Sequence, residues 1–475
     1  MKNLLTAVFL ILLLGGCSAP FSQGQKRPDE LTFPPLVFHF PKVENQDLNN
    51  GMKVYFRENH ELPLIDLTLM VEGGRIYDPL EKTGLSQFFA KVLETGGTAQ
   101  LSPEDLEAEL ESKAIELSVS SSTYSYEINL SLHKNDLKRG LEILSDILLR
   151  PQFDSQRLEL ARQQMLENIH RQNDDPGSIA GRLLAEAVNP NHPFGAYPTT
   201  SGVKLFSRED LIDLHQRYFY PANFWLAISG DIEPSEMINL LESQFQGRNA
   251  SKNITPEVPN LTQGPETGRI YLAEKDIPQT TILMGHSGIN KDNPDAFALR
   301  VANYILGGGG FNSRLMREVR SNRGLAYSVY SYFKVGRHLP ELFIAGSETK
   351  SESTVEVVQL MRHIMQQLID EPVTEAELEL AKKSLINSFV FAFEDCHSIV
   401  SRKVRLDFYG YPANYMETYR QRIASVSIAD IQRVAQKYLH PDQLQVVLVG
   451  NTEQYEGDIN NLRMPIEKVD LEQAQ

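Results

Sequence analysis

The 475 residues carry 62 acidic against 46 basic side chains, for a formal net charge of −16. That length exceeds one ordinary hydrophobic core, and the acidic excess argues against a general nucleic-acid binder, whose affinity comes from clustered Lys and Arg. With 41% hydrophobic and 23% charged residues the body reads as ordinary and globular, and only the N-terminal apolar stretch raises a membrane question.

Residues 1–16 start basic at Lys2, run apolar from Leu4 to Leu14 and end in Gly15-Gly16, the pattern of an export signal. The apolar run falls short of the ~20 residues that span a bilayer. Leu14-Gly15-Gly16-Cys17 resembles the bacterial lipoprotein box, in which the leader is cut before a cysteine that then carries the lipid. This resemblance implies an envelope protein anchored through Cys17. Ser18, rather than Asp, beside the cysteine implies the outer membrane, facing the periplasm. Residues 17–35 are polar and Pro-containing and read as a flexible tether. Cys396, the one other cysteine, is left without a disulfide partner. Its neighbour His397 cannot face it from the next helix position, so a structural thiol is expected.

The alternating stretch 64–71 (LIDLTLMV) predicts a half-buried strand, followed by a helix from about Gly84 to Thr95. Residues 116–132 predict a hairpin around Ser121-Ser122. The stretch 246–268 is rich in Asn, Thr, Pro and Gly and marks a linker. Beyond it, 280–285 (TTILMG) resembles the first strand, and 327–333 with 342–346 supplies a second hairpin.

An internal repeat emerges at an offset of 220 residues. Leu158-Glu159-Leu160-Ala161 recurs as Leu378-Glu379-Leu380-Ala381, and Ser207 with Asp210 recurs as Ser427 with Asp430. Both of the latter have the form of a helix N-cap with an acid three positions on. Tyr220-Pro221 aligns with His440-Pro441, and Gly230 with Gly450. The fold class is therefore α+β: two homologous lobes, each a mostly antiparallel sheet with helices packed on one side. The expected divisions are signal 1–16, tether 17–35, first lobe 36–250, linker 251–268, second lobe 269–465 and tail 466–475.

The block VEGGRIYDPLEKTGL, residues 71–85, resembles the lead-in to the inverted zinc motif His-x-x-Glu-His of the insulinase/pitrilysin peptidases. In that motif two histidines four residues apart on one helix face bind zinc. The Glu between them activates the metal-bound water, and a Glu from a distant helix completes the site. The resemblance places the histidine positions on Gln87 and Lys91 and the base on Ala90. The distant ligand, located through MLENIHRQNDDP, falls on Asn168. Gln is a feeble ligand, protonated Lys repels the cation and Ala accepts no proton. The eleven histidines contain no local pair that could replace the site, and most read as surface or capping residues.

Residues 306–330 (LGGGGFNSRLMREVRSNRGLAYSVY) resemble the same family's C-terminal-lobe signature, in which an Arg and a Tyr seven residues later face the catalytic cleft. They map onto Arg320 and Tyr327, a guanidinium fork for a peptide carbonyl and a hydroxyl for a developing oxyanion. On chemistry alone, a helix-end cation and a strand aromatic serve as well; the resemblance favours the catalytic role. The resemblance implies that Gly307, Gly308, Gly309 and Gly310 form a flexible loop beside the substrate, for which glycine's tolerance of positive φ is a sufficient physical reason. No Gly-Lys-Ser/Thr follows, which excludes a phosphate loop.

The resemblance covers residues 36–460 and implies a non-catalytic subunit, inactive alone. It would hold no cofactor itself and would lend Arg320 and Tyr327 to a zinc-bearing partner subunit that cleaves peptides. The alternative is a peptide-binding or scaffold lipoprotein without such a partner; an autonomous zinc peptidase ranks third.

Overall fold

The computed structural model describes residues 40–245, 257–261 and 264–471. The signal, Cys17 and the tether lie outside the described residues, as do parts of the linker and tail. Phe40 opens a single compact unit.

Two six-stranded sheets are built to one plan. The first contains β1 (Glu44–Asp47), β2 (Lys53–Glu58), β3 (Leu64–Glu72), β4 (Glu116–Ser121), β5 (Ser125–His133) and β6 (Phe224–Gly230), in the order β1-β2-β6-β3-β5-β4. The second half supplies β7 (Arg269–Glu274), β8 (Gln279–Ser287), β9 (Ile289–Asn290), β10 (Ala326–Phe333), β11 (Val335–Gly336), β12 (Leu342–Lys350), β13 (Gln445–Gly450) and β14 (Ile466–Val469). Its large sheet runs β10-β12-β8-β13-β7-β14, while β9 and β11 form a short parallel pair. Five consecutive strands of each sheet correspond one to one, β2, β6, β3, β5 and β4 to β7, β13, β8, β12 and β10. β2 lies parallel to β6 as β7 does to β13, and the remaining inner pairings are antiparallel in both sheets. Only the outer strands differ, β1 being antiparallel and β14 parallel to its neighbour.

Local signals explain why the copies coincide. Ser207 and Ser427 each close a reciprocal capping box with the acid three residues on, fixing the helix start in both halves. At the ends of β6 and β13 the backbone passes so close to the next strand that a Cβ on Gly230 would sit 2.1 Å from the Leu64 carbonyl oxygen, and one on Gly450 2.5 Å from Thr280 Oγ1. Gly230 also needs its φ of +123°, which a side chain disfavours.

One face of the first sheet meets helices of its own half. Ile65, Leu67, Leu69 and Val71 of β3 are buried in one core with Phe88 and Phe89 of the Leu85–Thr95 helix, Leu144 of Leu137–Leu149 and Ala161 of Ser155–His170. The opposite faces are covered by exchange between halves. The Cys396–Tyr409 helix lays Val400, Val404 and Phe408 on Tyr55, Met70 and Ala227 of the first sheet. Reciprocally, the Pro176–Val188 helix packs Ile179, Ala180, Leu184 and Val188 against Ala273, Leu283, Val447 and Val449 of the second. These helices start 220 residues apart, so the exchange is part of the repeat. Arg337 ties the same seam, donating to the Phe408 carbonyl at 2.7 Å and pairing with Glu72 at 3.1 Å.

The histidines correct the sequence expectation in part. His192, His215 and His286 are buried; His215 Nε2 donates to the Leu148 carbonyl at 2.9 Å, and burial pushes His286 down to about 4. His397 points into the first sheet, with its ring nitrogens 2.9 Å from the Thr68 and Ser229 hydroxyls, and away from Cys396. The Cys396 thiol is half-buried and donates to the Arg57 carbonyl at 3.4 Å.

Candidate functional site

The Leu85–Thr95 helix is positioned by the block that resembles the zinc-motif lead-in. Gly73 and Gly74 both have positive φ, and a Cβ on Gly74 would meet the Ser122 carbonyl at 2.5 Å, so the chain can only pass here as glycine. Asp78 then accepts hydrogen bonds from the Gly84 and Ser86 amides at 3.0 and 3.1 Å and from the Ser86 hydroxyl. This places a carboxylate at the positive end of the helix dipole. Burial pushes the Asp78 carboxyl up to about 6, against the opposing effect of those hydrogen bonds. The conspicuous lead-in residues serve as a scaffold for one helix face.

That face and the Ser155–His170 helix border a cavity of about 480 Å³ lined by Gln87, Ala90, Lys91 and Asn168. The structure thus brings together all four positions where the family would place its ligands and base. An amide, a methyl, an ammonium and a second amide make no donor set for zinc, so a zinc ion does not fit the residues of this chain. Among the described residues, no group of three His, Cys, Asp or Glu side chains could hold a metal. Lys91 instead pairs with Glu94 at 3.1 Å. The second Glu94 oxygen accepts from the Val119 amide of the edge strand β4 at 3.1 Å. Val119, Ser120 and Ser121 line the same cavity, so an edge able to receive an extended peptide runs beside the altered helix face. Sequence reasoning missed this Lys91–Glu94–Val119 link, although the i, i+3 spacing of Lys91 and Glu94 was a visible half of it.

Arg320 and Tyr327 do not line this cavity. Arg320 lies in a wide helical turn, Met316–Asn322, and Tyr327 near the start of the edge strand β10. The guanidinium sits between two rings, 4.8 Å from the Phe311 centroid and 4.4 Å from that of Tyr327. It also donates to the Tyr327 carbonyl at 2.6 Å. Tyr327 is 80% exposed and Phe311 65%, so the three side chains form a preassembled cation–π unit on the surface. Phe311 is the member that sequence reasoning did not single out.

The glycine run is less of a loop than expected. Gly307 and Gly308 belong to the wide last turn Tyr304–Gly308, and only Gly310 has positive φ. The stronger reason for glycine is close packing, since a Cβ on Gly307 would lie 2.5 Å from the Ser331 amide nitrogen of β10 and one on Gly309 2.7 Å from the Tyr304 carbonyl oxygen. Just beyond, Arg314 makes a two-pronged pair with Glu377 at 2.8 and 2.9 Å. Glu377 is itself the N3 residue of the capping box opened by Thr374, so the segment leading to Arg320 is pinned to the Glu375–Ser388 helix. These partners hold the Glu377 carboxyl down at about 2, overcoming burial, which acts the other way. A depressed carboxylate contributes stability above its unfolded pKa of about 4.3 and loses it as pH falls through the folded value. Glu377→Gln is expected to lower unfolding free energy by up to about 3 kcal/mol at pH 7, with the deficit fading between pH ~4 and ~2. Urea unfolding at several pH values measures it.

Comparison with known proteins supplies the family. Residues 53–197 match the profile described as insulinase (peptidase family M16), and residues 205–385 that of the peptidase M16 inactive domain. The chain is 27% identical over 415 residues to the "Non-peptidase homolog YmxG" of Helicobacter pylori, covering 86% of this chain and 94% of the relative. It is also 27% identical over 310 residues to an uncharacterized zinc protease of Mycobacterium leprae, covering 64% and 69%. The crystal structure of a peptidase M16 inactive domain from Pseudomonas fluorescens shares the fold at a TM-score of 0.78 and 24% identity, covering 88% of this chain and all of that one. With both halves matched and the fold shared, this chain, which carries no zinc-binding residues at the four expected positions, belongs to the insulinase family, peptidase family M16.

Proposed function

We propose that the protein is the non-catalytic subunit of a heterodimeric zinc peptidase, presenting Arg320 and Tyr327 to a peptide held at the zinc of a separate insulinase-family subunit. The observation that carries this reading is the state of the two half-sites. The zinc-side positions have become Gln87, Ala90, Lys91 and Asn168, whereas the Arg320–Tyr327 unit is intact, ordered by Phe311 and Arg314, and exposed. An exposed hydroxyl and guanidinium fork without a metal in their own chain suit action across a subunit boundary. The Tyr327 hydroxyl has no hydrogen-bond partner among the described residues and is free to donate to a developing oxyanion. Co-purification from membranes, with metal analysis of each subunit, tests the arrangement: zinc should travel with the partner and not with this chain.

The second reading, a partner-independent peptide-binding or scaffold lipoprotein, draws on the edge strand β4 and the cavity beside it. A genome lacking a neighbouring gene for a His-x-x-Glu-His subunit would favour it. An autonomous zinc peptidase is disfavoured by the donor set.

Location in the envelope, on a lipid attached to Cys17, is part of the same proposal. Cys17→Ser is expected to move the protein from the membrane to the soluble fraction. Continued sedimentation with outer membranes after a salt wash would require another attachment.

A further inference from the structure

Away from both half-sites, the second half contains an arginine-rich cleft that the peptidase reading does not use. A cavity of about 420 Å³ opens between the Cys396–Tyr409 and Tyr415–Ala424 helices and the end of Ala296–Asn303, with Arg300, Arg402 and Arg405 in its wall. A second cavity of about 350 Å³ adjoins it, shares Arg300, Tyr411 and Tyr415, and adds Lys291 and Arg422. In a chain with 62 acidic residues against 46 basic ones, no Asp or Glu lines the larger cavity among the described residues.

Of the nearby acids, Glu127 is taken by Arg405 at 2.8 Å and Asp292 by Lys291 at 2.6 Å. Among the described residues, Arg300, Arg402 and Arg422 pair with no carboxylate and lie against aromatic rings. Arg300 donates to the Tyr419 hydroxyl at 3.1 Å, Arg402 lies 5.6 Å from the Phe393 ring centroid and Arg422 5.2 Å from that of Phe297. At Arg300 burial is outweighed by the neighbouring tyrosines, which raise its pKa; at Arg402 burial lowers the pKa, and repulsion from Arg405 and Arg300 adds to the effect, as for a cation without a counter-ion. The tyrosines do not supply one, because burial raises Tyr409 and Tyr415 and pushes Tyr411 up to about 12, leaving them neutral donors. The Ser401 hydroxyl in the same wall is buried with no partner among the described residues.

We infer that this cleft binds a phosphate ester, with the phosphate among Arg300, Arg402 and the tyrosine hydroxyls and the organic part against the aromatic wall. Guanidinium forks, phenols and an orphan hydroxyl all donate, so the missing partner is an oxyanion with several acceptor oxygens. Arginines converging from separate helices favour a group that carries more charge and more acceptors than one carboxylate. Phe40, the first described residue, packs on Phe389 and Phe393 at 5.8 and 5.5 Å, and Phe389 lines the cleft. A phospholipid headgroup and a soluble ester would present the same phosphate.

The test uses the full purified chain against glycerol phosphate by titration calorimetry, and against vesicles of phosphatidylcholine with and without phosphatidylglycerol by co-sedimentation. Arg300→Gln/Arg402→Gln is compared with the parent at equal lipidation. Saturable, salt-sensitive binding in either arm, weakened about 10–100-fold by the double variant, is expected. Binding of the soluble ester identifies a free metabolite, and binding only of the anionic vesicles identifies a headgroup. Should the glutamine variant melt early, Arg300→Lys/Arg402→Lys keeps the charge but loses the fork and should bind with intermediate strength. No binding in either arm, binding indifferent to both variants, or preference for a glutamate-rich peptide over phosphate would overturn the assignment.

Discussion

In an assembled complex with a zinc-bearing partner, Tyr327→Phe is expected to slow peptide cleavage by about 10–1000-fold, the range for removing one oxyanion donor. The substitution isolates chemistry from folding, because the ring is 80% exposed and its hydroxyl has no partner among the described residues. Deleting that oxygen while keeping the ring leaves the stack with Arg320 in place. Arg320→Ala should also slow cleavage, but it removes the 2.6 Å bond to the Tyr327 carbonyl and empties the space between two rings. Arg320→Lys is the better companion, retaining charge while losing the two-pronged fork. Complex assembly is monitored by gel filtration and turnover by release of a quenched peptide. Unchanged turnover in an intact complex would reduce both residues to surface structure and bring the scaffold reading forward.

The second large effect is expected from rebuilding the zinc face. Gln87→His, Ala90→Glu, Lys91→His and Asn168→Glu together should give the chain a zinc site, since all four positions line one cavity. Catalysis should recover less. Ligands need outer partners to orient them, and losing such partners typically costs about 10–100-fold in affinity or activity. Lys91→His also strips Glu94 of its partner, leaving that carboxylate on the Val119 amide of the edge strand. Elemental analysis of the folded variant measures the outcome. A well-folded variant that takes up no zinc would refute the placement of these four residues on one site.

The repeat was legible because its marks are local. The caps at Ser207 and Ser427 are written in adjacent residues, and Gly230 and Gly450 recur at the same offset, so one register aligned them, although the close approaches that require those glycines are to distant strands. The helix exchange was not legible, since nothing within 176–188 or 396–409 states which sheet will receive it. Gln87, Ala90 and Lys91 could be placed on one face by helix periodicity, but Asn168 was reached only through the family resemblance. Long-range contacts decided the remaining differences. Whether His286 packs in the core, or whether Gly307 is needed for flexibility or for closeness to β10, depends on strands far along the chain. The arginine cleft escaped notice for the same reason, its members spread from Lys291 to Arg422.

This chain is expected to perform no zinc chemistry alone and to contribute to it only through a partner. The most direct measurement is made on the isolated, purified chain: zinc content by mass spectrometry, with hydrolysis of a peptide library in the presence and absence of a chelator. No stoichiometric zinc and no cleavage are expected under either condition, because Gln87, Ala90, Lys91 and Asn168 provide neither ligands nor base. Chelator-sensitive cleavage by the isolated chain would contradict this expectation.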